Sequence, residues 1–138
     1  MKNLVIFAML ILALSAILSA CGGSAPAVPV SSLSVEMSEF KFSPATMTVF
    51  VGKEISLNLK NNGAIEHEFA ILKKGIVAQI PFDREKQAAD ILADYRLGPQ
   101  KSETYTFTLP EAGEYQVICS ISGHMESGMT AKLTAVNP

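Results

Sequence analysis

From Leu33 onward, apolar and polar residues alternate through most of this chain. Leu33, Val35 and Met37 alternate with Ser34 and Glu36, and Ile55, Leu57 and Leu59 with Ser56, Asn58 and Lys60. Tyr105, Phe107 and Leu109 alternate with threonines; Tyr115, Val117 and Cys119 share one face, and Ala131, Leu133 and Ala135 share another. Thr46 to Val51 adds a run rich in β-branched residues. A period of two sends successive side chains to opposite faces of a strand, so each run predicts a strand with one buried face. Gly52-Lys53, Asn61-Asn62-Gly63, Pro110 and Ala112-Gly113 punctuate the runs as turns. The pattern predicts an all-β domain, an antiparallel sandwich or barrel.

Asp83 to Leu97 (DREKQAADILADYRL) departs from that pattern. It is rich in helix formers, with Asp83 placed as a cap and Gly98-Pro99 as a stop. Ala88, Ile91, Leu92 and Tyr95 fall at helical spacing. The reading is a short helical insertion near residues 83–97 that could cover one edge of the sandwich, or a partly extended loop, in either case with no chemistry of its own.

The amino-terminal residues read as an export signal. Lys2 precedes an unbroken apolar run, Leu4 to Leu14, and Leu18-Ser19-Ala20-Cys21 closes the segment with small residues. The run is shorter than the roughly 20 residues a membrane-spanning helix needs. Leu-Ser-Ala-Cys resembles the lipobox of bacterial lipoproteins, in which the cysteine becomes the acylated first residue. Three segments follow: a lipoprotein signal peptide over 1–20, a tether over 21–32 and a folded domain over 33–138. Residues 22–32 (GGSAPAVPVSS) are uncharged and rich in Gly, Pro and Ser. As a coil they reach on the order of 20 Å, enough to hold a small domain just clear of a membrane surface.

Composition narrows the function classes. At 138 residues there is room for one domain, and the formal net charge is −2. Loss of the leader removes a single charge, Lys2, and leaves a weakly acidic surface unsuited to nucleic acid. The chain has two cysteines and two histidines. With Cys21 lipidated, Cys119 has no partner for a disulfide, and a free thiol in an oxidising compartment needs something to hold it.

The run Cys119-Ser-Ile-Ser-Gly-His124-Met-Glu-Ser-Gly-Met129 supplies the answer. It sets a thiolate, an imidazole and a thioether at Cys-x4-His-x4-Met spacing, and His67 lies upstream beside an apolar strand. Such a His2Cys(Met) set is what a copper electron-transfer site requires: thiolate suits Cu(I), imidazole suits both oxidation states, and a weak axial thioether tunes the potential. Cys119 ends its strand facing inward, Gly123 and Gly128 let the loop turn, and Met129 opens the last strand. Met125 adjoins His124 and is expected to point away from the metal. Glu66, Glu68 and Glu126 are expected to be solvated.

With these residues in hand the domain resembles the cupredoxin, or blue copper, family. The matching pieces are Phe42-Ser43-Pro44 with Val49-x-Val51-Gly52, Asn61-Asn62…His67-Glu68-Phe69, and Gly113-x-Tyr115…Cys119…Gly123-His124…Gly128-Met129. They cover nearly all of residues 33–136, and the loop spacing is similar to that of auracyanin and rusticyanin. The resemblance implies a Greek-key β-sandwich with one type 1 copper near one end. It implies His67, Cys119 and His124 as strong ligands, Met129 as the axial ligand, and His124 as the more exposed histidine through which electrons pass. The residue after the first histidine is often Asn in this family, bonding across to the loop; here it is Glu68.

The expected function is single-electron transport, not catalysis, by a monomer tethered to a membrane through lipid. Expected partners are redox proteins such as cytochromes or membrane electron-transfer complexes. The expected location is the outer face of the cytoplasmic membrane, or the outer membrane facing the periplasm. Copper enzymes of this fold need further histidines for a second metal centre, and a binuclear CuA site needs a second loop cysteine; both are excluded by count. A copper-binding lipoprotein for acquisition, delivery or tolerance is the competing reading, disfavoured because no exposed Met/His cluster is evident. Zinc ranks lower still, since His2Cys with a long axial Met suits tetrahedral zinc poorly.

Overall fold

The structure, a computed structural model, describes residues 28–138. The leader, Cys21 and most of the tether lie outside the described residues. Four strands, β1 (Ser32–Ser38), β2 (Lys41–Ser43), β4 (Glu54–Asn61) and β7 (Ser102–Thr108), form one sheet in the order β2-β1-β4-β7. Five strands, β3 (Thr46–Phe50), β5 (His67–Leu72), β6 (Ile91–Leu97), β8 (Gly113–Ile118) and β9 (Thr130–Val136), form the other in the order β3-β9-β8-β5-β6.

The alternating runs became strands, but the sheets are mixed and not purely antiparallel. β1 pairs with β4 in parallel, and β3 pairs with β9 in parallel. The chain leaves the first sheet after β2, spends β3 in the second, and returns as β4. Crossing between sheets replaces the hairpin reversals that would have made every pair antiparallel. The five-stranded sheet takes up the chain early: Val30 bridges Val49, and its amide donates to the Thr48 carbonyl at 3.1 Å. The domain's hold thus begins inside the stretch read as tether.

Inward residues of both sheets meet in one core. Val35, Met37, Ile55, Leu57 and Leu59 face Phe69, Ile71, Val117 and Leu133, all fully or nearly fully buried. Each such side chain contributes about 1.5–3 kcal/mol on burial, which is what holds the two layers together.

The short helical insertion expected near 83–97 is present, but it is confined to the first half of that segment, and the second half is extended. One α-helical turn, α1 (Arg84–Gln87), is capped by the Asp83 carboxylate, which accepts from the Glu85 and Lys86 amides. A 3₁₀ turn spans Ala88–Asp90, and Ile91 to Leu97 is strand β6. β6 pairs with β5 from His67↔Leu97 to Leu72↔Ile91, with Leu92 the extra residue at the register shift beside Ile71 and Leu72. An open edge of β5 offers a row of backbone partners, and this outweighs the small helix preference of Ile, Leu and Tyr.

The connection 73–90 has a second effect. It covers the outer face of β5 and β8, where Ala70, Leu72, Ala78, Ile118 and Met125 form a second apolar cluster flanked by Ile76, Phe82 and Ile91. Every residue of β5 is therefore buried. Among the described residues no helix is long and apolar enough to cross a membrane.

Candidate metal centre

Parity along β5 sorts its residues between the two clusters. His67 shares its face with Phe69 and Ile71 in the main core, whereas Glu68 shares the outer face with Ala70 and Leu72. His67 opens the strand, opposite Leu97. The approach to it is shaped by Asn61, which is wholly buried; its amide nitrogen donates to the carbonyls of Ile65 (2.8 Å) and Leu97 (2.9 Å), and its oxygen accepts from the Gly63 amide (2.8 Å). Asn61 was legible as a turn residue; its role as the brace of the His67 loop was not.

Cys119 follows β8 by one residue, and Met129 precedes β9 by one. The loop between them is held by its own backbone. The Cys119 amide donates to the Met129 carbonyl (3.1 Å), the Met129 amide to the His124 carbonyl (3.0 Å), and the His124 amide to the Ile121 carbonyl (3.0 Å). Gly123 at φ +83° and Gly128 at φ +98° adopt left-handed backbone that a side chain would disfavour.

This architecture gathers three donors at one end of the sandwich. The Nδ1 atoms of His67 and His124 are 3.3 Å apart, and the Cys119 sulfur is 3.3 Å from His124 Nδ1. All three ligand atoms lie within 4.8 Å of one another. His67 and Cys119 are wholly buried, and His124 is 7% exposed, the more accessible of the two histidines. Met129 is wholly buried in the same core as Cys119. Met125 packs into the second cluster under the 73–90 connection.

Burial acts on two of the three donors in opposite directions. Burial, and next the neighbouring His124, lowers the pKa of His67 against the opposing pull of Glu39, while burial pushes the Cys119 thiol up. Two imidazole nitrogens and one sulfur turned toward one point form a soft ligand set. His67 Nε2 is buried and has no hydrogen-bond partner among the described residues, and the Glu39 carboxylate, which accepts from the Ala64 amide (2.6 Å), lies 3.8 Å from it. With Nδ1 given to a metal, Nε2 carries the proton and faces that carboxylate. The residues fit copper.

Glu68 requires a correction. It is not solvated: it is 1% exposed, because the outer face of β5 is roofed by the 73–90 connection. Arg84 on α1 reaches both carboxylate oxygens at 2.8 Å, the Ser120 hydroxyl donates to Oε2, and Arg96 stands 3.4 Å from Oε1. The Glu68 backbone amide also points at the Cys119 sulfur at 3.4 Å. Glu66 and Glu126 remain exposed. Arg84 and Ser120 carried no signal in the sequence; Glu68 did, through its parity with Ala70 and Leu72.

A cysteine and two histidines on a loop and a neighbouring strand, at the end of a two-sheet sandwich, define a mononuclear type 1 copper protein. The chain belongs to the cupredoxin family: the cupredoxin-like domain model matches residues 5–135. It is similar to auracyanin-A of Chloroflexus aurantiacus, with 27% identity over 81% of this chain and 85% of that protein. It is 32% identical to the copper-resistant cuproprotein CopI of Rubrivivax gelatinosus over 67% of this chain, and the match spans 58% of that relative's length. Among solved structures, reduced auracyanin from Roseiflexus castenholzii superposes with a TM-score of 0.65 at 26% identity, covering 79% of this chain and 99% of that one. Reduced rusticyanin shares the fold, with a TM-score of 0.59 at 20% identity over 83% of this chain and 89% of its own.

Proposed function

We propose that this protein carries single electrons between redox partners while tethered to a membrane by a lipid on Cys21. The observation that carries the reading is the convergence of His67 Nδ1, His124 Nδ1 and Cys119 Sγ inside a packed core. Copper held there supplies a one-electron couple between Cu(I) and Cu(II). The protein's part is to keep the donors in place whichever state is present. Cys119 is anchored by the Met129 carbonyl and the Glu68 amide, and His67 by the Asn61-braced loop. Met129, wholly buried in the same core as Cys119, would supply the weak axial thioether. A fixed donor set lowers reorganisation, which favours electron transfer.

The leader and the small-small-Cys ending support export and lipidation, and the uncharged tether supports attachment at the outer face of the cytoplasmic membrane or on the outer membrane facing the periplasm. Gly22 after the modified cysteine, in place of Asp, permits outer-membrane sorting in a cell with two membranes. Suitable partners are cytochromes or membrane electron-transfer complexes that meet a monomer near the His124 end.

Loading the protein with Cu(II) tests this reading. It predicts an intense thiolate-to-copper band, a type 1 EPR signal and reversible voltammetry. A colourless complex, or copper lost at each reduction, sinks electron transport. That outcome favours the second reading, copper handling for tolerance or delivery, which the similarity to the copper-resistant cuproprotein supports. For the anchor, labelled palmitate is incorporated by the wild type, and Cys21→Ser releases the protein from membranes.

A further inference from the structure

The charged cluster behind the site is not explained by copper ligation alone. Glu68 touches both ligand-bearing elements: its amide points at the Cys119 sulfur and its carboxylate accepts from Ser120, the residue after that cysteine. A buried carboxylate beside a copper thiolate is a fixed negative charge in a poorly screened place, and it is tolerated when paired. Its partner comes from the segment that sequence reading assigned no chemistry. Arg84 Nη1 lies 2.8 Å from each Glu68 oxygen and 2.5 Å from Ser120 Oγ, while Nη2 pairs with Asp94 of β6. The guanidinium thus bridges the 73–90 connection, β5, β6 and the ligand loop. Arg96 is a weaker second cation, 3.4 Å from Glu68 and shared with Glu66 at 3.5 Å.

We propose that Arg84 and Glu68 are positioning residues whose opposed charges set the reduction potential of the copper site. The inference rests on the type 1 copper reading above. Glu68 stabilises the more positive Cu(II) state, and Arg84 cancels most of that field. The 73–90 connection is then a device for delivering a countercharge to the face of β5 away from the donors, and not only a cover for apolar residues.

The test uses the copper-loaded full chain, with a blue wild type and a reversible couple as the starting condition that decides the copper reading separately. Arg84→Gln should lower the reduction potential and Glu68→Gln should raise it. The double variant should return close to wild type, and all three should keep the blue band. EPR copper hyperfine splitting should move in Arg84→Gln and recover in Arg84→Lys, which restores the charge. A purely structural role would shift the two single variants in the same direction and worsen in the double. Same-sign shifts, or an unmoved potential in a blue Arg84→Gln, overturn the proposal. Should Arg84→Gln not fold, Glu68→Gln decides alone: an unchanged or lowered potential overturns it.

Discussion

Phe40 meets His124 edge to face, with ring centroids 5.0 Å apart and planes at 69°. The phenylalanine is 37% exposed, so it caps the imidazole at the surface end of the site and holds that histidine at 7% exposure. Replacing Phe40 by Ala should open the path between the metal and solvent without touching a donor. The expected variant keeps its blue colour, loses about 1–2 kcal/mol of stability for a partly buried ring, and releases copper to a chelator several-fold faster. Stopped-flow bleaching of the blue band with a chelator measures this. Equal release rates would mean that Phe40 does not gate access.

Gly63 approaches the site from the other side. A Cβ built there would stand 2.6 Å from Glu39 Oε1 and 2.9 Å from His67 Nε2. Glu39 is flexible and can swing away, though doing so abandons the Ala64 amide it accepts from. His67 is wholly buried and has nowhere to go. Gly63→Ala should therefore tilt the first imidazole and reduce copper affinity by about 10–100-fold, the usual range for disturbing a ligand's outer partners. Competition titration against a chelator of known affinity checks it; wild-type affinity in the variant would show that the loop gives way instead.

Far from the copper, the Tyr95–Tyr105 pair (centroids 4.7 Å apart) sets an alkaline limit on the fold. Burial, together with the hydrogen bond its hydroxyl donates to Glu103 (2.6 Å), pushes Tyr105 up to about 12. In the unfolded chain a tyrosine ionises near about 10. Between those values the folded state keeps a proton that the unfolded state has released. The resulting stability is complete below about pH 10 and is lost as pH rises toward and through about 12. Thermal melts across this window should show a steeper alkaline decline in wild type than in Tyr105→Phe, and parallel curves would contradict the assignment.

The legible parts of this molecule were those in which one residue decides one outcome. Strand parity placed Val35, Leu57 and Val117 in the core, and the Cys119–His124 spacing exposed the ligand loop because the glycines and donors lie close together in the chain. Ile91 to Leu97 was not legible as a strand because its local preference is weak, while the partner that makes it a strand, β5, lies far back in the sequence. Glu68 was misread for the same reason. Alternation told which face it occupied, but only the path of residues 73–90 made that face an interior one. Parallel pairing of β1 with β4 likewise depends on the order in which the chain visits two sheets, which no run of residues encodes locally.

Cys119 and the proposed thioether donor Met129 are assigned separable roles, and two substitutions distinguish them. Cys119→Ser removes the thiolate that gives the site its colour and its preference for copper, so the intense band should vanish and affinity should fall steeply. Met129 is wholly buried, and its backbone closes the loop through the Cys119 amide at 3.1 Å. Leucine keeps similar volume and leaves that backbone bond intact, so Met129→Leu should cost less than about 1.5 kcal/mol of stability. Losing the thioether withdraws donor density that favours Cu(II), so the variant should stay blue while its potential rises. Voltammetry and visible spectra on the same samples measure both quantities. Unchanged potential and spectrum in Met129→Leu would remove Met129 from the coordination sphere and leave it as the core residue that shuts the loop.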